Sequence, residues 1–117
     1  GTGLGAGALA RATPGEGQER AAAEYARYLS LIRQRIQEAL QYPASARRRG
    51  LSGTVHLEIE VAASGVIARV AVVASSSHRL LDEAALETAR ALPRIPFPED
   101  LSPRPLRARL PIVFELR

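Results

Sequence analysis

The apolar residues of the N-terminal third follow the spacing of a helix that buries one side. From about Glu19, apolar side chains recur every three or four residues, and charged or amide side chains fill the positions between them. This periodicity is typical of an amphipathic helix. The helix is expected to stop near Gln41, because Pro43 disfavours helical geometry at the residue before it. The apolar positions are Tyr25, Tyr28, Leu29, Ile32, Ile36 and Leu40.

A short second helix is expected directly after this proline. Pro43 suits the first turn of a helix over Ala44–Arg49, where an N–H would have no helical partner. Gly50 suits the left-handed conformation that ends many helices. The sequence therefore predicts two helices joined at Tyr42 and Pro43.

Two strands follow and predict an antiparallel hairpin. Residues 54–61 alternate between apolar and polar side chains, which indicates a strand with one face in water. A turn that ends at Gly65 leads into a second strand over Val66–Ser75. The two faces of this second strand differ less in polarity, so its buried side stays open at this point.

Another helix is predicted after the hairpin. Ser75–Ser77 offer N-caps, and an apolar stripe runs from Leu81 to Leu92. Asp82 and Glu83 would lie in the first turn, where the helix dipole favours negative charge. The helix is expected to end before an extended turn that contains Pro93, Pro96, Phe97 and Pro98.

The last part of the chain has the pattern of a strand with one fully apolar face, over residues 106–116. Proline has no N–H, so within sheets it is confined to edges, strand starts or bulges. Pro111 lies in the middle of this pattern, which predicts an edge strand. Because successive residues direct their backbone groups to opposite sides, the odd-numbered residues are expected to face the open side. Leu110, Ile112 and Phe114 would then pair with the hairpin.

Length and composition narrow the class of protein. The 117 residues suffice for one domain, and the absence of cysteine excludes disulfides, thiolate nucleophiles and cysteine-based zinc sites. Apolar runs are far shorter than the roughly 18 residues that a membrane span requires. Residues 1–18, rich in Gly and Ala, are predicted to be a flexible linker or an expression remnant, and residues 19–117 the folded domain.

Side chains with catalytic or metal-binding chemistry do not form a recognisable set. His56 and His78 have no second ligand at helical or strand spacing. Ser75–Ser77, His78 and Asp82 include the residue types of a hydrolytic triad, but serine caps before a helix explain them better. The chain is therefore interpreted as a binding module rather than an enzyme, with no cofactor and no metal.

The positive charge raises nucleic-acid binding as an alternative of a different class. All 16 basic residues are arginine, the net charge is +4 and the pI is about 10.6. The arginines are scattered apart from Arg47-Arg48-Arg49, and no aromatic residues alternate with them as a base-stacking platform would require. Nucleic acid is therefore not the expected partner. A nucleic-acid binder would lose affinity steeply with salt, whereas a strand-adding module would not.

Short motifs between about Tyr25 and Leu116, in this order and spacing, resemble the TonB C-terminal domain family. One departure is Ser77, where members often carry Gly. The motifs are Gln41-Tyr42-Pro43-Ala44, Ala46 with Gly50-x-x-Gly53, Val55-x-Leu57-x-Ile59-x-Val61, Gly65-Val66, Ser75-Ser76, Leu81-Asp82-Glu83-Ala84-Ala85-Leu86, Pro96-Phe97-Pro98 and Leu110-Pro111-Ile112-x-Phe114-x-Leu116.

The resemblance implies an α+β fold, in which a three-stranded antiparallel sheet carries helices packed on one face. It also implies the periplasmic end of an inner-membrane-anchored energy transducer of a Gram-negative bacterium. Parts of the protein outside this sequence would associate with an ExbB–ExbD-type proton-driven motor. This domain would bind the TonB box of an outer-membrane TonB-dependent transporter by strand addition and so drive uptake of siderophores, cobalamin or other scarce nutrients. A TolA-like envelope arm is the alternative within the same fold group, and a free edge also allows a strand-mediated homodimer.

The resemblance places the partner-binding residues in two regions of the chain, Gln41-Tyr42-Pro43 and 107–115. Tyr42 is interpreted mainly as a packing residue at the helix exit, and Gln41 as the better contact candidate. The family carries no catalytic site or cofactor in this domain. The expected partner-binding residues are Gln41, Tyr42, Pro43, Arg107, Arg109, Pro111, Val113 and Glu115.

Overall fold

The computed structural model of the chain describes the backbone of residues 16–116 and the side chains of residues 23–116. Most of the predicted linker, residues 1–18, lies outside the described residues, as does Arg117. The predicted helices and strands are present, with ends shifted by a few residues. Their bounds are α1 (Glu16–Ala39), α2 (Ala44–Arg48), β1 (Gly53–Val61), β2 (Ile67–Ala74), α3 (Arg79–Ala91) and β3 (Leu106–Phe114).

The three strands form an antiparallel sheet in the order β2-β1-β3. The hairpin of β1 and β2 follows directly from the turn at Gly65, whereas β3 returns after α3 to pair with the other side of β1. This arrangement confirms the predicted fold class and places β3 at an edge of the sheet. The strand β2 forms the opposite edge.

The core lies between one face of the sheet and the helices α1 and α3. The apolar residues of β1, which alternate with polar ones, are almost fully buried, and α1 and α3 each contribute a buried stripe. On the other face of the sheet, His56 is exposed and Glu58 and Glu60 are half-buried. The buried residues that meet in this core include Tyr28, Ile32, Ile36, Val55, Leu57, Ile59, Val61, Leu81, Ala85, Ala89, Leu110, Ile112 and Phe114.

The proline-flanked turn after α3 is fastened to α1 by aromatic side chains. The ring of Phe97 stacks on Tyr28 with their centroids 4.3 Å apart, and the Tyr28 hydroxyl donates to the Ile95 carbonyl at 2.6 Å. Burial raises the pKa of the Tyr28 hydroxyl above its usual value. The Tyr25 hydroxyl donates to the Ser102 carbonyl at 2.7 Å. These contacts hold the connection to β3 against the first helix.

The short helix α2 ends as the sequence predicts but begins slightly differently. Pro43 occupies the N-cap with extended backbone, not the first helical turn. Gly50 has a φ of +68°. The N–H of Leu51 donates to the carbonyl of Ala46 at 2.9 Å, and the N–H of Gly50 donates to the carbonyl of Arg47 at 3.1 Å. These are the paired bonds of a Schellman motif, in which glycine supplies the left-handed residue.

The predicted role of the serines before α3 is wrong. His78 is the N-cap residue, and it makes no side-chain cap bond. Ser75 and Ser76 instead donate their hydroxyls to the Asp82 carboxylate, and the Ser76 N–H also donates to it at 2.9 Å. Asp82, in the first turn of α3, thus accepts hydrogen bonds from the preceding loop. Ser75 and Ser76 do not act as the N-cap residue of the helix.

The Asp82 carboxylate is expected to make the stability of the domain depend on pH in the acidic range. Partial burial alone would raise its pKa, but the hydrogen bonds from Ser75 and Ser76 outweigh this and lower the pKa below its ordinary value. A lowered folded-state pKa contributes stability above the unfolded-state value of about 4, and this stability is lost as the pH falls through the folded-state value.

Asp82→Asn should therefore cost about 1 kcal/mol at pH 7, and its difference from the parent protein should shrink below about pH 4. Urea unfolding between pH 7 and pH 2 measures both effects. Glu83→Gln is the matched control, because the ion pair of Glu83 with Arg79, at 2.9 Å, lies on the exposed surface. A difference between Asp82→Asn and the parent protein that stays constant down to pH 2 would contradict this assignment.

Candidate functional site

The two edges of the sheet differ in regularity. β2 pairs with β1 through two register shifts, which lie opposite His56/Leu57 and Glu60/Val61. Irregularities of this kind twist an edge and hinder the addition of another strand. β3 pairs with β1 without a shift from Leu106 to Phe114. The regular edge is therefore that of β3, the strand that the sequence singles out.

The orientation of the backbone along β3 is visible at Val113. Its N–H donates to Oε1 of Gln37 at 2.9 Å, and its carbonyl accepts from Nε2 of Gln37 at 2.7 Å. Both groups therefore point away from β1, as predicted for the odd-numbered residues. By alternation, Arg107, Arg109 and Pro111 direct their backbone groups to the same side. We call the outward backbone groups of residues 107–113 the open edge of β3.

The two arginine side chains of β3 are directed across the sheet. Arg107 lies opposite Glu60 in the strand register and Arg109 lies opposite Glu58. The corresponding nitrogen–oxygen distances are 3.5 Å and 3.7 Å. Exposed pairs of this kind contribute little to stability, about 0–1 kcal/mol each. Their effect on the site is positional, since they hold both guanidinium groups over β1 and leave the backbone of the open edge accessible.

A groove of about 430 Å³ adjoins the C-terminal end of β3. Tyr42 forms one wall: its ring meets Phe114 edge to face at 5.4 Å, and its hydroxyl donates to the Leu51 carbonyl. The Arg47 guanidinium lies 5.1 Å from the centre of the Tyr42 ring. Tyr42 is thus held by packing, as interpreted from the sequence, and still lines the groove. The lining residues are Arg33, Gln37, Leu40, Tyr42, Arg47, Val113, Phe114 and Glu115.

The predicted site residues do not all come together. Tyr42, Val113 and Glu115 share the groove, and Arg107, Arg109 and Pro111 follow the same edge toward its other end. Gln41 and Pro43 line a different depression, formed against the C-terminal half of α3, which they share with Tyr42, Ala84, Thr88 and Leu92. The structure therefore divides the first predicted region between two surfaces.

Gln37 is the residue of the site that sequence reasoning missed. It follows the buried Ile36 on α1, at one of the amide positions that the sequence pattern places on the polar face of that helix. Its bonding partner Val113 lies 76 positions away in the sequence, and no local pattern connects the two. The nearest signal is the predicted outward orientation of Val113, which leaves two backbone groups in need of a partner.

The described residues show neither a metal site nor a membrane span. Residues 23–116 contain no group of three or more His, Asp or Glu side chains that could hold a metal ion. Within the part of the chain that the structure describes, no helix combines the length and the hydropathy needed to cross a membrane. The open edge presents backbone N–H and carbonyl groups, as the two bonds between Val113 and Gln37 show.

Comparison with known proteins adds independent information. A model of the family described as Gram-negative bacterial TonB protein C-terminal matches residues 38–116. The protein tonB2 of Pseudomonas aeruginosa is 41% identical over 58 residues, which cover 50% of this chain and 22% of that protein. TonB of Vibrio cholerae is 37% identical over 76 residues, which cover 65% of this chain and 31% of that protein. The chain thus spans less than a third of the length of these two relatives.

Solved structures of TonB C-terminal domains show the same fold. The solution structure of residues 179–285 of the Helicobacter pylori protein aligns with a TM-score of 0.61 and 25% identity, covering 84% of this chain and 92% of that one. A shorter form, residues 194–285, aligns with a TM-score of 0.57 and 29% identity, covering 77% and 95%.

Proposed function

The chain belongs to the Gram-negative bacterial TonB protein C-terminal family, and from that premise we propose that it binds the TonB box of an outer-membrane TonB-dependent transporter as a strand added to β3. The family is one of non-enzymatic transducers that serve transport. In this proposal the backbone of the open edge supplies the affinity, and the side chains around it adjust the choice of partner.

The observation that carries the proposal is the outward orientation of the Val113 backbone on a regular edge strand. Its N–H and carbonyl bond a side chain and not another strand, so a partner segment offers an equivalent replacement. The opposite edge, on β2, has two register shifts and is less suited to strand addition. Arg109 and Pro111 extend the same outward row. These features favour β3 over every other strand that the structure describes.

The wider role concerns the full-length protein. We propose that this domain is the periplasmic part of an inner-membrane-anchored protein whose remaining segments associate with an ExbB–ExbD-type motor. Force applied through the docked strand would open the transporter for scarce nutrients such as siderophores. The support is family membership together with the relatives, of which this chain matches less than a third. The other proposed contacts, Gln41 and Pro43, line the depression against α3, so they would contact the transporter away from the docked strand.

A TonB-box peptide is expected to perturb the outward amides of β3 more than the inward ones. In a titration of the isotope-labelled domain followed by NMR, Arg109, Val113 and Glu115 should shift more than Leu110, Ile112 and Phe114. The physical reason is that inward N–H groups already bond β1, whereas outward groups change partner when a strand is added.

A peptide of the same composition in scrambled order is the control for this titration. Shifts confined to Arg47–Arg49 would contradict strand addition and would point to a charge-driven contact. Equal shifts on inward and outward amides would contradict the assigned orientation of the edge.

A further inference from the structure

The carboxamide of Gln37 bonds the backbone N–H and carbonyl of Val113 in the way that a residue of a fourth strand would. In an antiparallel ladder, the two residues of a hydrogen-bonded pair exchange both of their N–H···O bonds. Gln37 does the same with one side chain, since Oε1 accepts from the Val113 N–H at 2.9 Å and Nε2 donates to the Val113 carbonyl at 2.7 Å. We call this pair of bonds the Gln37 cap.

The surrounding residues hold the cap in place without burying it. Ile36, the preceding residue of α1, is fully buried and fixes the helix against the sheet. The Gln37 side chain itself is half-buried and lines the groove that leads to solvent. A cap with these properties is well defined in the free domain and still accessible to a competing strand.

Pro111 makes the position of the cap important. Because proline lacks an N–H, the open edge has no donor at residue 111, so the outward donors on either side of it are Arg109 and Val113. With Val113 capped, the outward donors that remain within β3 are those of Arg109 and Arg107. The Gln37 cap therefore occupies the Val113 N–H, the first outward donor on the C-terminal side of Pro111.

We propose that Gln37 is a built-in competitor of the docking segment, which must displace the Gln37 carboxamide from Val113 in order to pair with the C-terminal half of β3. This inference rests on the proposed function and deepens it, since it names a residue that limits affinity for the partner strand. The Gln37 side chain binds the open edge reversibly and competes with the docking segment for the backbone of Val113.

Gln37→Met tests the cap in the free domain. Methionine keeps a side chain of similar length and a good helix propensity, but it makes neither bond to Val113. The Val113 amide should exchange with solvent about tenfold faster in this variant. Gln34→Met is the matched control, because Gln34 lies on the same helix and, among the described side chains, bonds the exposed Glu38 at 3.2 Å. Unchanged exchange at Val113 in Gln37→Met would overturn the cap.

The same proteins test the competition. A TonB-box peptide should bind Gln37→Met about threefold to tenfold more tightly than the parent domain, which corresponds to the hydrogen bonds that no longer have to be displaced. Gln34→Met should bind like the parent. In the parent domain, the side-chain amide resonances of Gln37 should shift on binding, and those of Gln34 should not.

The outcomes separate the two proposals. Equal peptide affinity for all three proteins, or Gln37 side-chain resonances that stay unchanged in the parent complex, would overturn the competition while leaving strand addition in place. A peptide that binds none of the three would overturn strand addition and the competition together. Tighter binding by Gln34→Met and Gln37→Met alike would also overturn the competition, since it would reflect a general effect of methionine on α1.

Discussion

Ile112→Pro is expected to unfold the domain, whereas Val113→Pro is expected to leave it folded. The two residues are neighbours on β3 but direct their backbone groups to opposite sides. Ile112 lies opposite Val55 in the register with β1 and is fully buried. Since Val113 bonds Gln37 on the open side, the Ile112 N–H points inward by alternation.

The expected losses follow from that difference. Proline at 112 removes a ladder bond, leaves the acceptor on β1 without a partner and replaces a buried side chain worth about 1.5–3 kcal/mol. The sum approaches the roughly 5–15 kcal/mol by which small domains are stable. Proline at 113 removes one bond to Gln37 beside an open groove, for which about 1 kcal/mol is expected.

Circular dichroism and urea unfolding of the two variants measure this contrast. Ile112→Ala separates the contribution of the side chain from that of the backbone, because it deletes the buried atoms and keeps the N–H. It should be destabilised but folded. Similar stability of Ile112→Pro and Val113→Pro would mean that the inward and outward sides of β3 have been exchanged.

The edge of the sheet could be predicted from the sequence because its signals are local. Alternation of apolar and polar side chains defines β1 and β3 without reference to the rest of the fold. Pro111 excludes a central position for β3, since in a central strand its missing N–H would remove a ladder bond on whichever side it faced. The same alternation then orients Val113 outward, and its bonds to Gln37 confirm that orientation.

Features that depend on long-range or competing contacts could not be predicted in this way. The Gln37 cap joins residues 76 positions apart, and the helical pattern assigns Gln37 only to a polar face. The serines before α3 were expected to cap it, but Asp82 competes for their hydroxyls. The register shifts of β2 could not be predicted from the sequence either, because valine and alanine occupy both faces of that strand.

The separation of Gln41 from the open edge has a simple physical reason. Residues 40–43 connect two helices and are not helical themselves, so the side chains of Gln41, Tyr42 and Pro43 do not share one helical face. The ring of Tyr42 turns toward Phe114 at 5.4 Å, so Gln41 and Pro43 reach the depression beside α3. Proximity in the motif therefore did not mean proximity to the docking edge.

Gly65→Ala is expected to be the most damaging of the small substitutions, with a loss of about 3 kcal/mol or more in the free energy of unfolding. Gly65 has a φ of +91° in the hairpin turn. A Cβ added there would lie 2.3 Å from the carbonyl oxygen of Ile95 and 2.8 Å from its carbonyl carbon. Both atoms belong to the backbone, so a rotamer change cannot relieve the clash.

The clash would act on the contacts that fasten the hairpin to the first helix. The Ile95 N–H donates to the Gly65 carbonyl at 3.1 Å, and the Ile95 carbonyl accepts from Tyr28. A methyl group between Gly65 and Ile95 would push these segments apart and weaken both bonds. The effect should therefore spread from the turn to the buried ring of Tyr28.

Gly50→Ala supplies the control that separates backbone strain from the clash. Gly50 also has a positive φ, of +68°, but a Cβ there would meet nothing within 4 Å. This variant should lose only the cost of a left-handed alanine, about 1 kcal/mol. Urea unfolding of both variants gives the two values, and their difference measures the contact with Ile95. Equal losses would contradict the close approach of the hairpin turn to Ile95, because strain alone would then account for both.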